Sequence, residues 1–107
     1  RGILSTMYGK LNREMDTGAL RELYDTYYET EPFVRVLPPG MLPQTKAVTG
    51  SNCCDVAVTA DPRTGRVVVT SAIDNLIKGA SGQAVQNMNI IYGFDEAAGI
   101  DSPGMYP

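Results

Sequence analysis

A glycine-rich turn, Gly79-Ala80-Ser81-Gly82, separates the β-branched run RVVVTSAI at 66–73 from a segment that predicts a helix. Strand, glycine-rich turn and helix is the order that begins a dinucleotide-binding site, where backbone N–H groups at a helix N-terminus approach a phosphate. The full fingerprint needs G-x-G-x-x-G inside a βαβ unit and an acidic residue about 20 positions later. Only 25 residues follow Gly82, and they predict no second strand. No Lys-Ser or Lys-Thr follows the glycines either, so the P-loop pattern also fails.

The stretch from Gly79 to Phe94 contains no charged residue, although 20% of the chain is charged. By composition alone, a stretch of this length would carry about three charges. A helix on the surface of a free domain normally shows charge on its outer face. The pattern therefore indicates contact with a ligand, another domain or another subunit, and the alternative is a helix whose small residues serve only tight packing. The polar residues of the stretch are Ser81, Gln83, Gln86, Asn87 and Asn89.

Two adjacent cysteines, Cys53 and Cys54, are the other residues whose type could do chemistry. Neighbouring cysteines cannot link distant parts of a fold, so a disulfide scaffold is excluded and a reducing compartment fits best. The chain has no histidine, which removes the commonest general base and the commonest zinc ligand. We therefore expect no metal site, and no Cys-His or Ser-His pair can form within these residues.

The composition is that of one ordered domain, with 107 residues of which 43% are hydrophobic. The net charge is −3 and there is no basic cluster, so nucleic acid and anionic membranes are not expected partners. No apolar run approaches the roughly 20 residues of a membrane span.

The first elements that must position these residues are a strand, a helix and a second strand. Residues 2–12 alternate in hydrophobicity and predict a strand. Asp16 or Thr17 can cap a helix, which Pro32 ends, and residues 33–37 predict a short strand. The apolar stripe of the helix is predicted to contain Leu20, Leu23, Tyr24 and Tyr27.

The second half of the chain predicts a hairpin and a final helix. Residues 47–48 are expected to form a brief extended piece. Strands at 55–60 and 66–73, joined by the turn DPRTG, predict the hairpin, and a helix is expected at about 80–92 before a turn-rich tail. The order predicts an α+β fold, with a mostly antiparallel sheet and two main helices packed on one face of it.

At this point the sequence resembles a known family. Residues 74–89, DNLIKGASGQAVQNMN, closely resemble the C-terminal signature of N-acetyl-γ-glutamyl-phosphate reductase, which is related to aspartate-semialdehyde dehydrogenase. Further segments look like family segments and occur in family order, so the resemblance covers essentially the whole chain. They are RGILSTMYGKL at 1–11, EPFVRVLP at 31–38, LPQTKAV at 42–48, GSNCCD at 50–55 and GRVVVTSAIDNL at 65–76.

The resemblance implies that residues 1–107 are the C-terminal part of the reductase's second domain, which is its catalytic and dimerisation domain. The implied enzyme is cytoplasmic and uses NADPH to convert N-acetyl-glutamyl 5-phosphate to N-acetyl-glutamate 5-semialdehyde in arginine biosynthesis. The family's nucleophilic cysteine motif and its catalytic histidine are absent from these residues. Cys53 and Cys54 lie in another context, so we assign no catalytic residue here and expect the fragment alone to be inactive.

In the related dehydrogenases, the C-terminal helix returns to lie against the N-terminal Rossmann domain, which binds most of the NADP. The resemblance therefore implies cofactor-binding residues just before and within that helix start. The Asn75 carboxamide would bind the nicotinamide amide, although Asn75 could instead be a simple turn-former. Lys78 could add positive charge or be a solvated surface charge. The full set of expected cofactor-binding residues is Asn75, Lys78, Gly79, Ala80 and Gly82.

The implied partners are the N-terminal Rossmann domain, the acyl-phosphate substrate and further copies of the chain in a dimer or tetramer. We expect the self-contact to use sheet surface from the strands at 55–60 and 66–73. One alternative is an isolated, non-catalytic dimerisation module. Another is an independent nucleotide-binding protein, which the failed fingerprint disfavours.

Overall fold

A computed structural model describes residues 1–105 of the chain. Four strands form one sheet in the order β1-β4-β3-β2, in which β1 and β3 pair antiparallel with β4, and β2 pairs parallel with β3. The predicted α+β class with a mostly antiparallel sheet is therefore confirmed. The elements are β1 (Ile3–Lys10), α1 (Thr17–Tyr27), β2 (Val34–Val36), β3 (Cys54–Asp61), β4 (Arg66–Ile73) and α2 (Gly82–Tyr92).

Strand β4 lies between β1 and β3 and pairs with both along its whole length. This position uses the backbone hydrogen-bonding groups on both edges of the strand, while most of its side chains are only half-buried within the described residues. The predicted hairpin between β3 and β4 is present. Asp61 closes its turn by accepting hydrogen bonds from Arg63 N and from the Thr64 hydroxyl at 3.0 and 2.7 Å.

Helix α1 packs against β3 and β2, and Asp16 caps it by accepting a hydrogen bond from Ala19 N at 2.7 Å. Leu20 is buried, but Leu23 and Tyr27 of the predicted stripe are 51% and 76% exposed, so that part of the prediction is wrong. The reason lies in the contacts of the helix with the strands. Thr17 accepts a hydrogen bond from Ala60 N, and the Arg21 side chain donates one to Val36 O. These bonds turn the helix so that Leu20, Tyr24 and Tyr28 line its covered side.

The connection between β2 and β3 contains a 3₁₀ turn at Thr45–Val48. The brief extended piece predicted at 47–48 is therefore wrong. Ala47 N donates to Gln44 O, and the Thr49 hydroxyl donates to Thr45 O, both at 3.0 Å, so local bonds close the chain into a turn. Val48 is fully buried, and the turn packs on β4.

Helix α2 begins after a π-helical turn at Ile77–Ser81, which we call the π turn. The helix ends at Gly93, whose φ of 70° is the left-handed conformation that commonly terminates helices. Helix α2 continues directly from the π turn, and strong contacts with strands are seen for α1. The predicted turn-rich tail is seen as far as Met105, while Tyr106 and Pro107 lie outside the described residues.

Candidate functional site at the end of strand β4

The candidate site is built around Asp74, the residue that follows β4. Its side chain is fully buried, and both carboxylate oxygens are bonded. Oδ2 accepts from Arg1 Nε at 3.0 Å, Arg1 Nη2 at 2.8 Å and Gly50 N at 2.6 Å. Oδ1 accepts from Leu76 N at 2.8 Å, which turns the chain away from the sheet. One carboxylate thus joins three segments that are distant in sequence.

The bonds to Asp74 keep it ionised. Burial acts to raise the pKa of its carboxyl, because a charge is costly away from water. Hydrogen bonds from Arg1, Gly50 N and Leu76 N outweigh that effect and hold the pKa of Asp74 well below its usual range. Asp74 is therefore a fixed negative charge at neutral pH.

Asn75 is half-buried, and its Oδ1 accepts a hydrogen bond from Gly2 N at 2.6 Å. Asp74 and Asn75 thus hold Arg1 and Gly2, immediately beyond the last β1–β4 pair, Ile3 and Ile73. Within residues 1–105, the Asn75 Nδ2 group donates to no other group. Asn75 therefore offers a side-chain amide that can donate a hydrogen bond to a ligand.

The backbone of the glycine-rich turn is already engaged. Gly79 N donates to Asp74 O at 3.0 Å, Ser81 N donates to Leu76 O at 3.2 Å, and Gly82 N donates to Ile77 O. A phosphate at a helix N-terminus requires free N–H groups, and these three are not free. Helical geometry begins at Ile77 instead of at the glycines. π-helical turns are rare and are frequently found at functional sites.

The small residues of the turn fall into two kinds. Gly79 and Ala80 are exposed, and a Cβ at Gly79 would make only ordinary contact, 3.5 Å from Asp74 O. Gly82 is buried, and a Cβ there would collide with Asn52 Oδ1 and lie 2.8 Å from Ile77 O. Gly82 is therefore required by the fold itself, whereas Gly79 and Ala80 leave a surface without large side chains.

Lys78 is half-buried and belongs to a polar network inside the domain. Its Nζ donates to Gln86 Oε1 at 2.7 Å and lies 5.6 Å from the centre of the Phe33 ring. Gln86 Oε1 also accepts from Asn52 Nδ2 at 3.0 Å, and Gln86 Nε2 donates to Glu96 at 2.6 Å. Lys78 is thus no freely solvated charge, and its ammonium is directed into this network.

The uncharged stretch from Gly79 to Phe94 places some of its amide side chains inside the domain and several apolar side chains in solvent. Its amides Gln86 and Asn89 bond inward, and Asn89 Nδ2 donates to Glu96 O and Ala98 O. Its polar residues Gln83 and Asn87 remain exposed and bond each other. Its large apolar side chains are also left in solvent, each at least 45% exposed: Met88, Ile90, Ile91, Tyr92 and Phe94.

Cys53 and Cys54 are free thiols and half-buried. Burial raises the pKa of the Cys54 thiol, and the nearby Lys78 ammonium only partly opposes this. A raised pKa leaves little thiolate at neutral pH, and thiolate is the nucleophile. Residues 1–105 contain no group of His, Cys, Asp or Glu side chains that could hold a metal ion.

Among the surface features of residues 1–105 are two open clefts. One, of about 240 Å³, lies beside the start of α2 and includes Asn52, Gly82 and Ile100. The other, of about 660 Å³, lies at the opposite end of the sheet, between the β1–α1 connection and the hairpin turn. None of the predicted site residues lines this larger cleft. In the part of the chain that the structure describes, no helix is long and apolar enough to cross a membrane.

Sequence reasoning missed the residues that hold the predicted ones in place: Arg1, Asn52, Asp74, Gln86 and Glu96. One signal was available for Asp74, because an acidic residue directly after an apolar central strand must find partners if it is buried. No comparable signal identified Arg1 as its partner, since the two residues lie 73 positions apart.

Comparisons with known proteins agree with the expected resemblance. Residues 1–75 match the family model described as semialdehyde dehydrogenase, dimerisation domain. Over all 107 residues, the chain is 66% identical to an N-acetyl-γ-glutamyl-phosphate reductase of Desulforudis audaxviator and 64% identical to one of Pelotomaculum thermopropionicum. The chain spans 31% of the length of each of these relatives.

Among solved structures, aspartate semialdehyde dehydrogenase II from Vibrio cholerae has a similar fold. The TM-score is 0.67 at 17% identity, and the match covers 88% of this chain and 28% of that one. At this identity, the likeness concerns the fold. The resemblance to the reductase, inferred from sequence segments, is confirmed by the whole-length identity to the curated relatives.

Proposed function

Because this chain belongs to the semialdehyde dehydrogenase dimerisation-domain family, we propose that it is the C-terminal part of a cytoplasmic, NADPH-dependent reductase. The reaction is conversion of N-acetyl-glutamyl 5-phosphate to N-acetyl-glutamate 5-semialdehyde in arginine biosynthesis. The observation that carries the proposal is the identity to reductases of that name along the whole chain.

The covalent chemistry is assigned to residues outside these 107. A cysteine thiolate attacks the acyl carbon, phosphate leaves, and a thioester is formed, which splits one difficult reduction into two steps. NADPH supplies the hydride that reduces the thioester, releasing the aldehyde and the thiolate. The raised pKa of Cys54 and the absence of histidine support a non-catalytic role for this chain.

The role of residues 74–82 is to complete the cofactor site. Asn75 has an unused amide donor that fits a carboxamide oxygen, and Gly79 and Ala80 leave room for a flat ring to approach. Lys78 and Gly82, which the resemblance also nominated, are proposed to support the site from inside the domain. Lys78 bonds Gln86, and Gly82 lets α2 start against Asn52.

The exposed apolar residues of α2 are assigned to contact with the N-terminal Rossmann domain. Large exposed apolar patches mark interaction sites, and the covering domain would lie in the part of the reductase outside this chain. This contact would cover the exposed apolar residues of α2, which stand beside the exposed amides Gln83 and Asn87.

The sheet is assigned to self-association in a dimer or tetramer. Side chains on β4 are mostly half-buried, whereas Leu4 and Tyr8 of β1 are 58% and 71% exposed. The contact therefore includes β1 as well as the expected β3 and β4. Sedimentation of the 107-residue chain at tens of micromolar should show a dimer or larger species, and a clean monomer would count against this assignment.

The experiment for the enzymatic proposal compares the full-length polypeptide with the 107-residue chain. The full-length protein should oxidise NADPH when N-acetyl-glutamyl 5-phosphate is supplied, and the isolated chain should not. The second candidate is a non-catalytic dimerisation module, which the description of the matching family model favours. Inactivity of both proteins together with self-association of the isolated chain would support this candidate. Activity of the isolated chain would overturn the division of roles.

A further inference from the structure

Two consecutive residues after β4 hold two consecutive residues before β1, and this arrangement carries a further inference. We propose that Arg1 and Asp74 are positioning residues that fix the Asn75 carboxamide, so that its Nδ2 donates to an acceptor oxygen of the cofactor. The acceptor with the matching chemistry is the carboxamide oxygen of the nicotinamide. This inference rests on the proposed NADPH-dependent function.

The first support is the rigidity of the Asp74 side chain. It receives four hydrogen bonds or ion-pair contacts between 2.6 and 3.0 Å, two of them from the same guanidinium. Both guanidinium contacts reach the same oxygen, Asp74 Oδ2, and such charge-assisted bonds are strong. Because Arg1 takes part through both Nε and Nη2, neither side chain can rotate without losing a contact.

The second support is the way in which this rigidity reaches Asn75. The Asp74 side chain bonds Leu76 N, and the Asp74 carbonyl accepts from Gly79 N at 3.0 Å. The backbone that follows Asn75 is therefore tied to Asp74 at two points. Because Arg1 is held by Asp74, the next residue, Gly2, is also held in place, and its N–H donates to the Asn75 side chain.

The third support is the direction of the Asn75 bond. The oxygen and nitrogen of a carboxamide have similar size and geometry and are assigned from their hydrogen bonds. Only the oxygen can accept a hydrogen bond from a backbone N–H. The bond from Gly2 N therefore identifies the oxygen and leaves the NH₂ group on the other side. That NH₂ group has no partner within residues 1–105 and is not among the buried atoms. Asn75 thus acts toward a ligand as a donor.

The chain supplies a matched control in the ion pair of Arg35 and Asp55. Its distance is 2.6 Å, and its side-chain exposures of 45% and 5% resemble the 41% and 0% of Arg1 and Asp74. Arg35 and Asp55 face each other across β2 and β3, and neither bonds a residue of 74–82. Removing either arginine leaves a buried carboxylate without its ion-pair partner, which destabilises a fold. A purely structural role would make the two variants equivalent.

The test uses the full-length reductase with Arg1→Gln, Arg1→Lys and Arg35→Gln. Arg1→Gln should raise the KM for NADPH about 2- to 10-fold, the factor for one lost hydrogen bond, and should leave the KM for the acyl phosphate unchanged. Arg1→Lys should restore part of the difference, because it keeps the charge without the fork. Arg35→Gln should lower Tm to a similar extent and leave both KM values unchanged.

A fourth variant tests the donor direction even if the arginine variants fold poorly. Asn75→Asp keeps an oxygen for Gly2 N and removes the NH₂, so Tm should hold while the KM for NADPH rises. If Asn75→Asp leaves that KM unchanged, or if Arg1→Gln and Arg35→Gln change it equally, the positioning role is overturned. Binding of NADPH, followed by fluorescence, distinguishes failure of the proposed function from failure of the positioning role. No binding overturns the proposed function as well, whereas equal binding by wild type and variants overturns the positioning role alone.

Discussion

Helices α1 and α2 each span eleven residues, and they are built in opposite ways. Helix α1 has a side-chain cap, buries Leu20 and packs on two strands. Helix α2 has no side-chain cap, and its buried residues are Gly82 and Asn89. The first is a helix that finds its partner within the domain. Helix α2 is held by polar contacts of its N-terminal half and of its inward-facing side chains.

This difference indicates whether the surface that covers the apolar residues of each helix lies within the domain or outside it. An amphipathic helix normally directs its apolar side inward, as α1 does with Leu20. Helix α2 differs, since Asn89 bonds inward while Ile91 is 77% exposed. Exposed apolar residues mark interaction sites, and those of α2 support the proposal that another part of the reductase covers this helix.

The largest expected effect compares one apolar residue from each helix. In the 107-residue chain, Leu20→Ala should lower the free energy of unfolding by about 2–5 kcal/mol, because it removes buried methyl groups and leaves a cavity. Ile91→Ala should change it by less than about 0.5 kcal/mol, as for an exposed site. Urea denaturation measures both. Equal losses would show that Ile91 is covered within the domain.

A second comparison uses two glycines at the base of α2. Gly82→Ala should destabilise the chain by about 1–3 kcal/mol, the usual range for overpacking, because its Cβ would displace Asn52. Gly79→Ala should be neutral or slightly stabilising, since alanine favours helical geometry and meets no close neighbour. Thermal unfolding monitored by circular dichroism tests the pair. A large loss for Gly79→Ala would contradict the division between internal and surface glycines.

A smaller effect concerns pH and the base of α2. The pKa of Asp74 is lowered in the folded state, so its contribution to stability is complete above its unfolded pKa of about 3.9. That contribution is lost as the pH falls through the folded pKa. Unfolding free energy measured from pH 7 downwards should therefore decline in acid less steeply for Asp74→Asn than for wild type. Identical slopes would show that folding does not lower the pKa of Asp74.

Local sequence signals predicted the elements whose partners are also local. The run at 66–73 became β4, the turn after Asp61 formed the hairpin, and Asp16 capped α1. The rotation of α1 was mispredicted because hydrogen bonds from α1 to β2 and β3 determine it. The support of the candidate site was missed for the same reason. Asp74 and Arg1 are far apart in sequence, and neither residue alone indicates the other.

Resemblance and local pattern also gave different information about residues 74–82. The resemblance implied five cofactor-binding residues, whereas in the structure Asn75, Gly79 and Ala80 differ from the internally engaged Lys78 and Gly82. Side-chain exposure depends on tertiary contacts, so no one-dimensional pattern could have made this separation.

The measurement that tests the central claim most directly is steady-state kinetics of Asn75→Ala in the full-length reductase, with NADPH varied. Loss of one hydrogen bond, about 0.5–1.5 kcal/mol, should raise KM or lower kcat about 2- to 10-fold. Asn12→Ala, at an exposed position at the opposite end of the sheet, should match wild type, and circular dichroism should show both variants folded. If Asn75→Ala leaves both the KM for NADPH and kcat unchanged, Asn75 is only a turn-former and residues 74–82 do not complete a cofactor site.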